Sequence, residues 1–480
     1  MVQKTGKTQE IKLKLSELIK RIKLPAKASI YYLAASTAGK IVSFVITPFT
    51  TRLLGKEDFG QFSLYMALLG GVSVICSAFT SSSAVYKGMQ NFNKKSGYLI
   101  SVLCVSIAFS LAICILLFTF IPFVKLNSYL LLPLTLQILC DVIVAVAMSG
   151  ERFDYKYKTV AAVALINAIL PPAMAIFILR TWGGGYVVRI YSMLFVSMCT
   201  AVYSLVKLFR GSKHRDFKVG YAFRSSLPLL PYSISSAISV QADKLIISAL
   251  MGAAALAKYS VVYSLGLALQ FTVSAIGSAL TPWIIRRLDA GEIERISALM
   301  LPMAVGYCAL SLCLVAIAPE AMLILAPRDY LDALPALLPI ALSTPLSFIS
   351  SVTMVGLNYL EKSKDVIIIS LVSTASCILL NYMLIKEFGF IGAGIATLTV
   401  HIFTAVASIL MLSRAKLSGM VSLVDLYRPF LISTTVGVLI LTLRDNFMPR
   451  ILSLLFPAFM LLFSAKKAAE MVIEKKKMSL

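Results

Sequence analysis

Charge is scarce in this chain. Asp, Glu, Lys and Arg make up 14% of its 480 residues, where a soluble domain carries roughly a quarter. Polar linkers are scarce as well. The longest, about Lys207 to Arg224, holds fewer than twenty residues, which excludes a separate soluble domain between the apolar stretches. With two histidines in the whole chain, His401 has too few partners for a histidine metal site. It reads as a buried neutral side chain or as a proton relay. No CxxC occurs. The eight cysteines (Cys76, Cys104, Cys114, Cys140, Cys199, Cys308, Cys313 and Cys377) all fall in apolar stretches and read as small hydrophobes, implying neither disulfides nor metal. The absence of a Walker A loop excludes ATP hydrolysis by that route. No nucleophile–base pair or carboxylate dyad is read in an external loop. The first 27 residues lack an apolar core followed by a small-residue cleavage site, so no cleavable signal peptide is expected.

What is present is apolar length. Hydrophobic residues are 59% of the chain and mean hydropathy is +0.88. Crossing a ~30 Å hydrocarbon core takes about 20 apolar residues. Fourteen stretches approach or exceed that length, at roughly 29–51, 59–86, 98–120, 129–150, 159–180, 186–207, 225–251, 253–283, 296–318, 333–359, 366–386, 391–413, 428–444 and 449–465. Net charge is +23, which in a soluble protein would suggest nucleic acid. Here the basic residues alternate between loops. With the N-terminus placed in the cytoplasm, even-numbered gaps and both tails hold 33 Lys and Arg against 9 in the odd-numbered gaps. This bias puts both termini inside and excludes nucleic acid as the reason for the charge. Trp182 and Trp283 fall at span ends, as interfacial aromatics do. Residues 9–24 read as a basic amphipathic helix on an anionic membrane surface, with Ile11, Leu15, Leu18, Ile19 and Ile22 on one face and lysines between them; Pro25 ends it.

The chain also repeats itself. Leu54-Gly55-x3-Phe59-x2-Phe62-Ser63 matches Met251-Gly252-x3-Leu256-x2-Tyr259-Ser260 at an offset of 197. Met148, Gly150, Lys156, Lys158, Arg180 and Gly183 match Met354, Gly356, Lys362, Lys364, Lys386 and Gly389 at an offset of 206. Six spans per copy is an even number, so both copies enter the membrane in the same direction, the arrangement of parallel-repeat transporters with a substrate site between the halves. The expected fold is an all-α polytopic membrane protein of about 14 transmembrane helices, with two pseudo-symmetric six-helix bundles and a peripheral C-terminal pair. The expected divisions are a cytoplasmic basic amphipathic segment 1–27, an N-terminal bundle 28–207, a cytoplasmic linker 208–224, a C-terminal bundle 225–414, and an additional helix pair with a basic tail at 415–480.

Five charges within spans are singled out: Lys40, Asp141, Arg189, Asp243 and Lys244. Each costs ~2.5–3.5 kcal/mol at mid-bilayer even on insertion scales, so each needs a partner or a wet cavity. Lys40 has Thr37, Ser43 and Thr47 at helical spacing, and Asp141 has Gln137 one turn earlier. Arg189 starts its span and could instead snorkel outward. Adjacent helical residues point ~100° apart, so Asp243 and Lys244 are not a simple local ion pair. Lys40, Asp141 and Asp243 read as cavity-facing or as interhelix pairs. A mixed-sign cavity at the half–half interface would suit a phosphate or pyrophosphate, with Lys40, Arg189 and Lys244 binding it. No cofactor is expected. Asp141 and Asp243 are candidates for H⁺ or Na⁺ coupling. Trp182-Gly-Gly-Gly-Tyr186 and Gly389-Phe-Ile-Gly392-Ala-Gly394 read as tight outer turns rather than nucleotide loops. Pro171-Pro172, Pro228 and Pro231 favour broken helices.

These residues carry a resemblance. Gly39-Lys-Ile-Val-Ser-Phe-Val-Ile-Thr-Pro-Phe-Thr-Thr-Arg-Leu-Leu-Gly-Lys-Glu-Asp-Phe-Gly60, Gln241-Ala-Asp-Lys-Leu-Ile-Ile-Ser-Ala-Leu-Met-Gly252 and Phe388-Gly-Phe-Ile-Gly-Ala-Gly-Ile-Ala-Thr397 resemble the Wzx-type O-antigen and polysaccharide flippases. Those belong to the multidrug/oligosaccharidyl-lipid/polysaccharide exporter superfamily. The resemblance spans nearly the whole chain. It implies a V-shaped pair of six-helix bundles around a cationic cavity, in the bacterial cytoplasmic membrane. Its implied cargo is undecaprenyl-pyrophosphate-linked oligosaccharide, moved by alternating access without catalysis. Membrane lipids are the implied surroundings, and polysaccharide polymerase and chain-length regulator proteins the candidate protein partners. A cation-coupled multidrug exporter of the same superfamily is the alternative. An enzyme on lipid-linked sugars would need a long polar outer loop, and the largest outer gap, Pro319 to Asp332, has only Arg328 as a base.

Overall fold

The structure, a computed structural model, describes residues 31–478 apart from 33, 81, 93–94, 125–126, 211–216, 416, 418 and 444–445. The expected amphipathic helix at 9–24 lies outside the described residues. Everything else regular is helical, with no strand among the described residues.

The helices are α1 (31–53), α2 (Lys56–Thr80), α3 (Ser82–Asn91), α4 (Lys95–Val124), α5 (Leu131–Phe153), α6 (Tyr157–Thr181), α7 (Gly185–Arg210), α8 (Val219–Ser226), α9 (Leu230–Met251), α10 (Ala253–Asp289), α11 (Ile293–Leu325), α12 (Leu337–Tyr359), α13 (Ser363–Arg414), α14 (Leu423–Thr442), α15 (Phe447–Leu452) and α16 (Leu455–Met478). Eleven helical segments among the described residues are long and apolar enough to cross a membrane, and Tyr427–Thr442 is a shorter apolar helix. Among the described residues each expected stretch is mainly helical, with 59–86, 225–251 and 449–465 each divided between two helices. The spans expected at 366–386 and 391–413 share the 52 residues of α13. A straight helix of that length would run roughly 78 Å, far beyond a bilayer. The chain breaks at Gly389, where φ is 57° and ψ −129°. Only glycine holds such a backbone without strain. The corresponding break between α6 and α7 is the Gly183-Gly184-Gly185 turn, with φ of 73°, 105° and 64°.

The repeat is visible at the level of single hydrogen bonds. After α5, the amides of Asp154, Tyr155 and Lys156 donate to the carbonyls of Gly150, Arg152 and Glu151. After α12, Leu360, Glu361 and Lys362 donate to Gly356, Asn358 and Leu357. Tyr155 and Glu361 take the same positive φ, 55° and 57°. Every partner is displaced by 206 positions. Side chains differ along this turn, so the shared geometry comes from the backbone satisfying its own helix end.

The chain divides into two compact units. The first comprises residues 1–53, 72–122 and 126–233, the second residues 54–71, 123–125 and 234–480. The first unit has a core in which Phe79, Val85, Tyr98, Leu99 and Val146 are buried. Short α8 joins it: Asn91 Nδ2 donates to Tyr221 OH at 3.0 Å, and the Lys218 amide donates to Ser101 Oγ at 2.8 Å. The second unit has a larger core from α10 to α13, including Ile284, Ile296, Met300, Phe348 and Ile409. The first turns of α2 belong to this unit. At Gly60 a Cβ would lie 1.9 Å from the Ala253 carbonyl oxygen, so only glycine lets α2 approach the start of α10. Lys56 pairs with Asp329 there, and Lys258 Nζ lies 2.5 Å from Asp332. In the C-terminal pair, Ser464 Oγ of α16 donates to the Pro302 carbonyl of α11 at 2.7 Å. The Leu227–Leu229 segment, with Pro228 at its start, is a 3-10 turn that breaks the helix before α9.

Candidate functional site

A polar hydroxyl can cross a bilayer cheaply by bonding its own helix, and α1 does so: Ser43 Oγ donates to the Gly39 carbonyl at 3.1 Å and Thr47 Oγ1 to Ser43 at 2.9 Å. Those groups are therefore occupied within α1. Lys40 sits on the same helix, half-buried, one residue after Gly39, whose Cβ would lie 3.3 Å from Ala168 of α6.

Asp141 of α5 is tied to its own helix and to α7. Gln137 Nε2 donates to Asp141 Oδ1 at 3.0 Å and lies 2.6 Å from Ser197 Oγ; Ser197 Oγ reaches Asp141 Oδ1 at 3.5 Å. One turn on, Thr200 Oγ1 donates to Asn167 Oδ1 of α6 at 3.2 Å. Arg189 lies half-buried near the start of α7. The carboxylate thus joins a polar seam of α5, α6 and α7. A second cluster lies at the far end of α5. Glu151 receives Lys207 at 2.7 Å and Lys156 at 3.4 Å, beside a 150 Å³ cavity that Asp154 and Ser204 also line.

In the second unit Asp243 of α9 is buried, 5% exposed. Tyr259 OH of α10 donates to Asp243 Oδ2 at 2.7 Å, and the Lys244 amide donates to Oδ1 at 2.8 Å. Lys244 turns elsewhere: its Nζ donates to Gln241 Oε1 at 3.2 Å and lies 4.3 Å from the centroid of the Tyr263 ring. Neighbouring residues on one helix have taken different partners, as their ~100° separation requires. A tyrosine that donates to a buried carboxylate and a ring face under an ammonium both offset part of the desolvation cost. Tyr259 and Tyr263, one turn apart on α10, were not among the residues singled out by charge. Their aromatic i, i+4 spacing opposite an intramembrane Asp-Lys is the sequence signal for them. His401 lies half-buried on the second part of α13. All eight cysteines are thiols. Among the described residues no three His, Cys, Asp or Glu side chains gather as metal ligands would.

The second unit also holds a cleft of about 400 Å³ between α10 and α12. Gln270, Ser274, Ser278 and Thr281 line it from α10, and Ser347 and Ser351 from α12, with valines behind. Among the described residues that line it none is charged, so a search for intramembrane charge passes over it. Its signal in the sequence is polar spacing of i, i+4, i+8 and i+11 along an apolar span.

Comparison with known proteins follows the same lines. A family model described as "Polysaccharide biosynthesis protein" matches residues 26–288. Over 276 residues the chain is 24% identical to an uncharacterized membrane protein of Haemophilus influenzae, covering 56% of this chain and 67% of that one. Its fold is similar to that of a lipid II flippase, MurJ, in an inward closed conformation, with TM-score 0.70 and 16% identity over 92% of this chain and 99% of the other. It is also similar to an inward-facing multidrug resistance MATE family transporter of the MOP superfamily, with TM-score 0.61 and 13% identity over 79% of this chain and 95% of the other. A third likeness is to a MOP superfamily transporter from Pyrococcus furiosus, with TM-score 0.56 and 15% identity over 83% and 96%.

Proposed function

The chain belongs to the family of polysaccharide biosynthesis proteins, and from that premise we propose that it is a flippase carrying undecaprenyl-pyrophosphate-linked oligosaccharide across the cytoplasmic membrane by alternating access. The observation that carries this reading is the family match over residues 26–288 on a multi-pass helical membrane fold. A lipid pyrophosphate moving through a bilayer must exchange hydration for fixed positive charge, because an isolated buried anion is prohibitively costly. Lys40, Arg189 and Lys244 are the intraspan cations available for this role. Lys244 Nζ is held by an amide oxygen and a ring face, which leaves further N–H donors for an incoming anion. Asp141 and Asp243 are the carboxylates proposed to couple transport to H⁺ or Na⁺. Both termini lie in the cytoplasm on this reading, and polymerase and chain-length regulator proteins act on the product.

The test is complementation. In a strain lacking its own flippase, the wild-type chain should restore surface polysaccharide, and Lys40→Ala should not, at matched protein level. Lys40→Arg should retain part of the activity, since charge persists while geometry changes. Wild-type polysaccharide from Lys40→Ala, Arg189→Ala and Lys244→Ala alike would end the cationic mechanism. Reporter fusions at residue 215 and at the C-terminus should both report cytoplasm.

A further inference from the structure

The α10–α12 cleft is polar, neutral and richer in acceptors than in donors. Ser274 Oγ donates to the Gln270 carbonyl at 3.1 Å, Ser278 to Ser274 at 2.7 Å, Thr281 to Gly277 at 2.8 Å and Ser351 to Phe348 at 2.6 Å. Each of these hydroxyl protons is spent within its own helix. The oxygen lone pairs remain. Gln270 Nε2 donates to Ser347 Oγ at 3.0 Å, while Gln270 Oε1 is buried with no hydrogen-bond partner among the described residues. The cleft therefore offers acceptors, and one of them is a desolvated amide oxygen whose unpaired state is costly. Its 400 Å³ lies within the range of small-ligand sites, about 300–1,000 Å³.

Four ligand chemistries meet this wall differently. A phosphate brings only acceptors and negative charge, and finds no cation, its only donors being the second Gln270 Nε2 proton and the Ser347 hydroxyl. An ammonium or drug cation finds no carboxylate. An acyl chain brings no donor for Gln270 Oε1. A sugar ring brings several hydroxyl donors and apolar C–H faces, which fit the acceptors and the Val273 and Val352 walls together. We propose that this cleft is a glycan subsite: Gln270, Ser274, Ser278, Thr281, Ser347 and Ser351 take the neutral sugar part of the substrate. The proposal rests on the transport reading above and assigns the sugar to a wall separate from the cations proposed for its pyrophosphate.

The experiment measures binding to the purified full-length protein by native mass spectrometry with two probes. One is bare undecaprenyl pyrophosphate; the other is the lipid-linked repeat unit extracted from the producing strain. Wild type should bind the glycosylated probe about tenfold more tightly, the size of one to two net hydrogen bonds. Ser274→Leu/Ser278→Leu fills the cleft with apolar volume and should bind both probes alike. Ser278→Thr keeps the hydroxyl and should keep the preference, which separates loss of the subsite from loss of fold. Equal binding of both probes by wild type, or an undiminished preference in the double leucine variant, overturns the glycan subsite alone. A wild-type protein that binds neither probe overturns the transport reading and the subsite with it.

Discussion

The turns after α5 and α12 are copies, hydrogen bond for hydrogen bond, yet the helices that lead into them are chemically unlike. At the offset of 206, Gln137 corresponds to Ser343 and Asp141 to Ser347. In the first unit this face is a charged seam with Gln137 and Ser197; in the second, Ser347 lines a neutral cleft and accepts from Gln270. The N-terminal helices of the copies differ as well. At the offset of 197, Lys40 corresponds to Ala237, which is 2% exposed. A duplicated backbone thus carries two different chemistries. Helix ends and glycine breaks recur because the backbone must satisfy its own amides and carbonyls whatever the side chains are. Side chains facing the interior answer to a local environment, and are free to diverge once that environment differs.

The strongest way to break the comparison is to transplant its charge. Ala237→Lys places an ammonium in a packed wall, and folded protein recovered from membranes should fall at least about tenfold. Conversely, Lys40→Ala should leave folded yield near wild type while surface polysaccharide is lost. The next largest effect comes from making the α5 and α12 faces exchange character. Ser347→Asp adds an uncompensated carboxylate and should cost about 2.5–3.5 kcal/mol, read as a lowered unfolding midpoint in detergent. Asp141→Ser should cost less stability, about 1–2 kcal/mol from the acceptor lost to Gln137 and Ser197, but should lower transport if the carboxylate couples an ion.

A smaller effect sharpens the likeness of the two glycine breaks. Gly183→Ala and Gly389→Ala each force a positive φ on alanine, about 1–3 kcal/mol. At Gly183 a Cβ meets nothing within 4 Å, while at Gly389 it comes 3.3 Å from Met251 Cε. The Gly389 variant should therefore show the lower thermal midpoint of the two. The smallest effect is expected at a feature the second unit has for itself. Thr374 Oγ1 of α13 lies 2.8 Å from Ser239 Oγ and donates to the Ser235 carbonyl of α9 at 3.1 Å. Thr374→Val removes these bonds at constant shape and should cost about 1 kcal/mol, with transport retained.

The candidate site was legible in proportion to its charge. Lys40, Asp141, Arg189, Asp243 and Lys244 stand out because a charge in an apolar run is expensive wherever it points. Gln137 was readable beside Asp141 from one-turn spacing alone. Tyr259 and Tyr263 were not, because an aromatic in a span is ordinary until the carboxylate and ammonium of another helix are known to face it. The hydroxyl cleft was hidden for a similar reason: serine and threonine that bond their own helix cost almost nothing in a bilayer, so their presence marks nothing by itself.

By itself the sequence determined that the chain is a helical membrane protein, roughly where its apolar runs lie, and that it is built twice over. Apolar length, glycine breaks and periodic matches are properties of the chain taken in order, and the bilayer and the backbone read them locally. Only the tertiary structure decided that Asp243 takes its proton donor from Tyr259 while Lys244 turns to Gln241 and the Tyr263 ring, and that Gln270 faces Ser347 across a neutral cleft. Those pairings join residues up to 77 positions apart. No local rule selects them, because each depends on which faces of two separate helices the packing brings together.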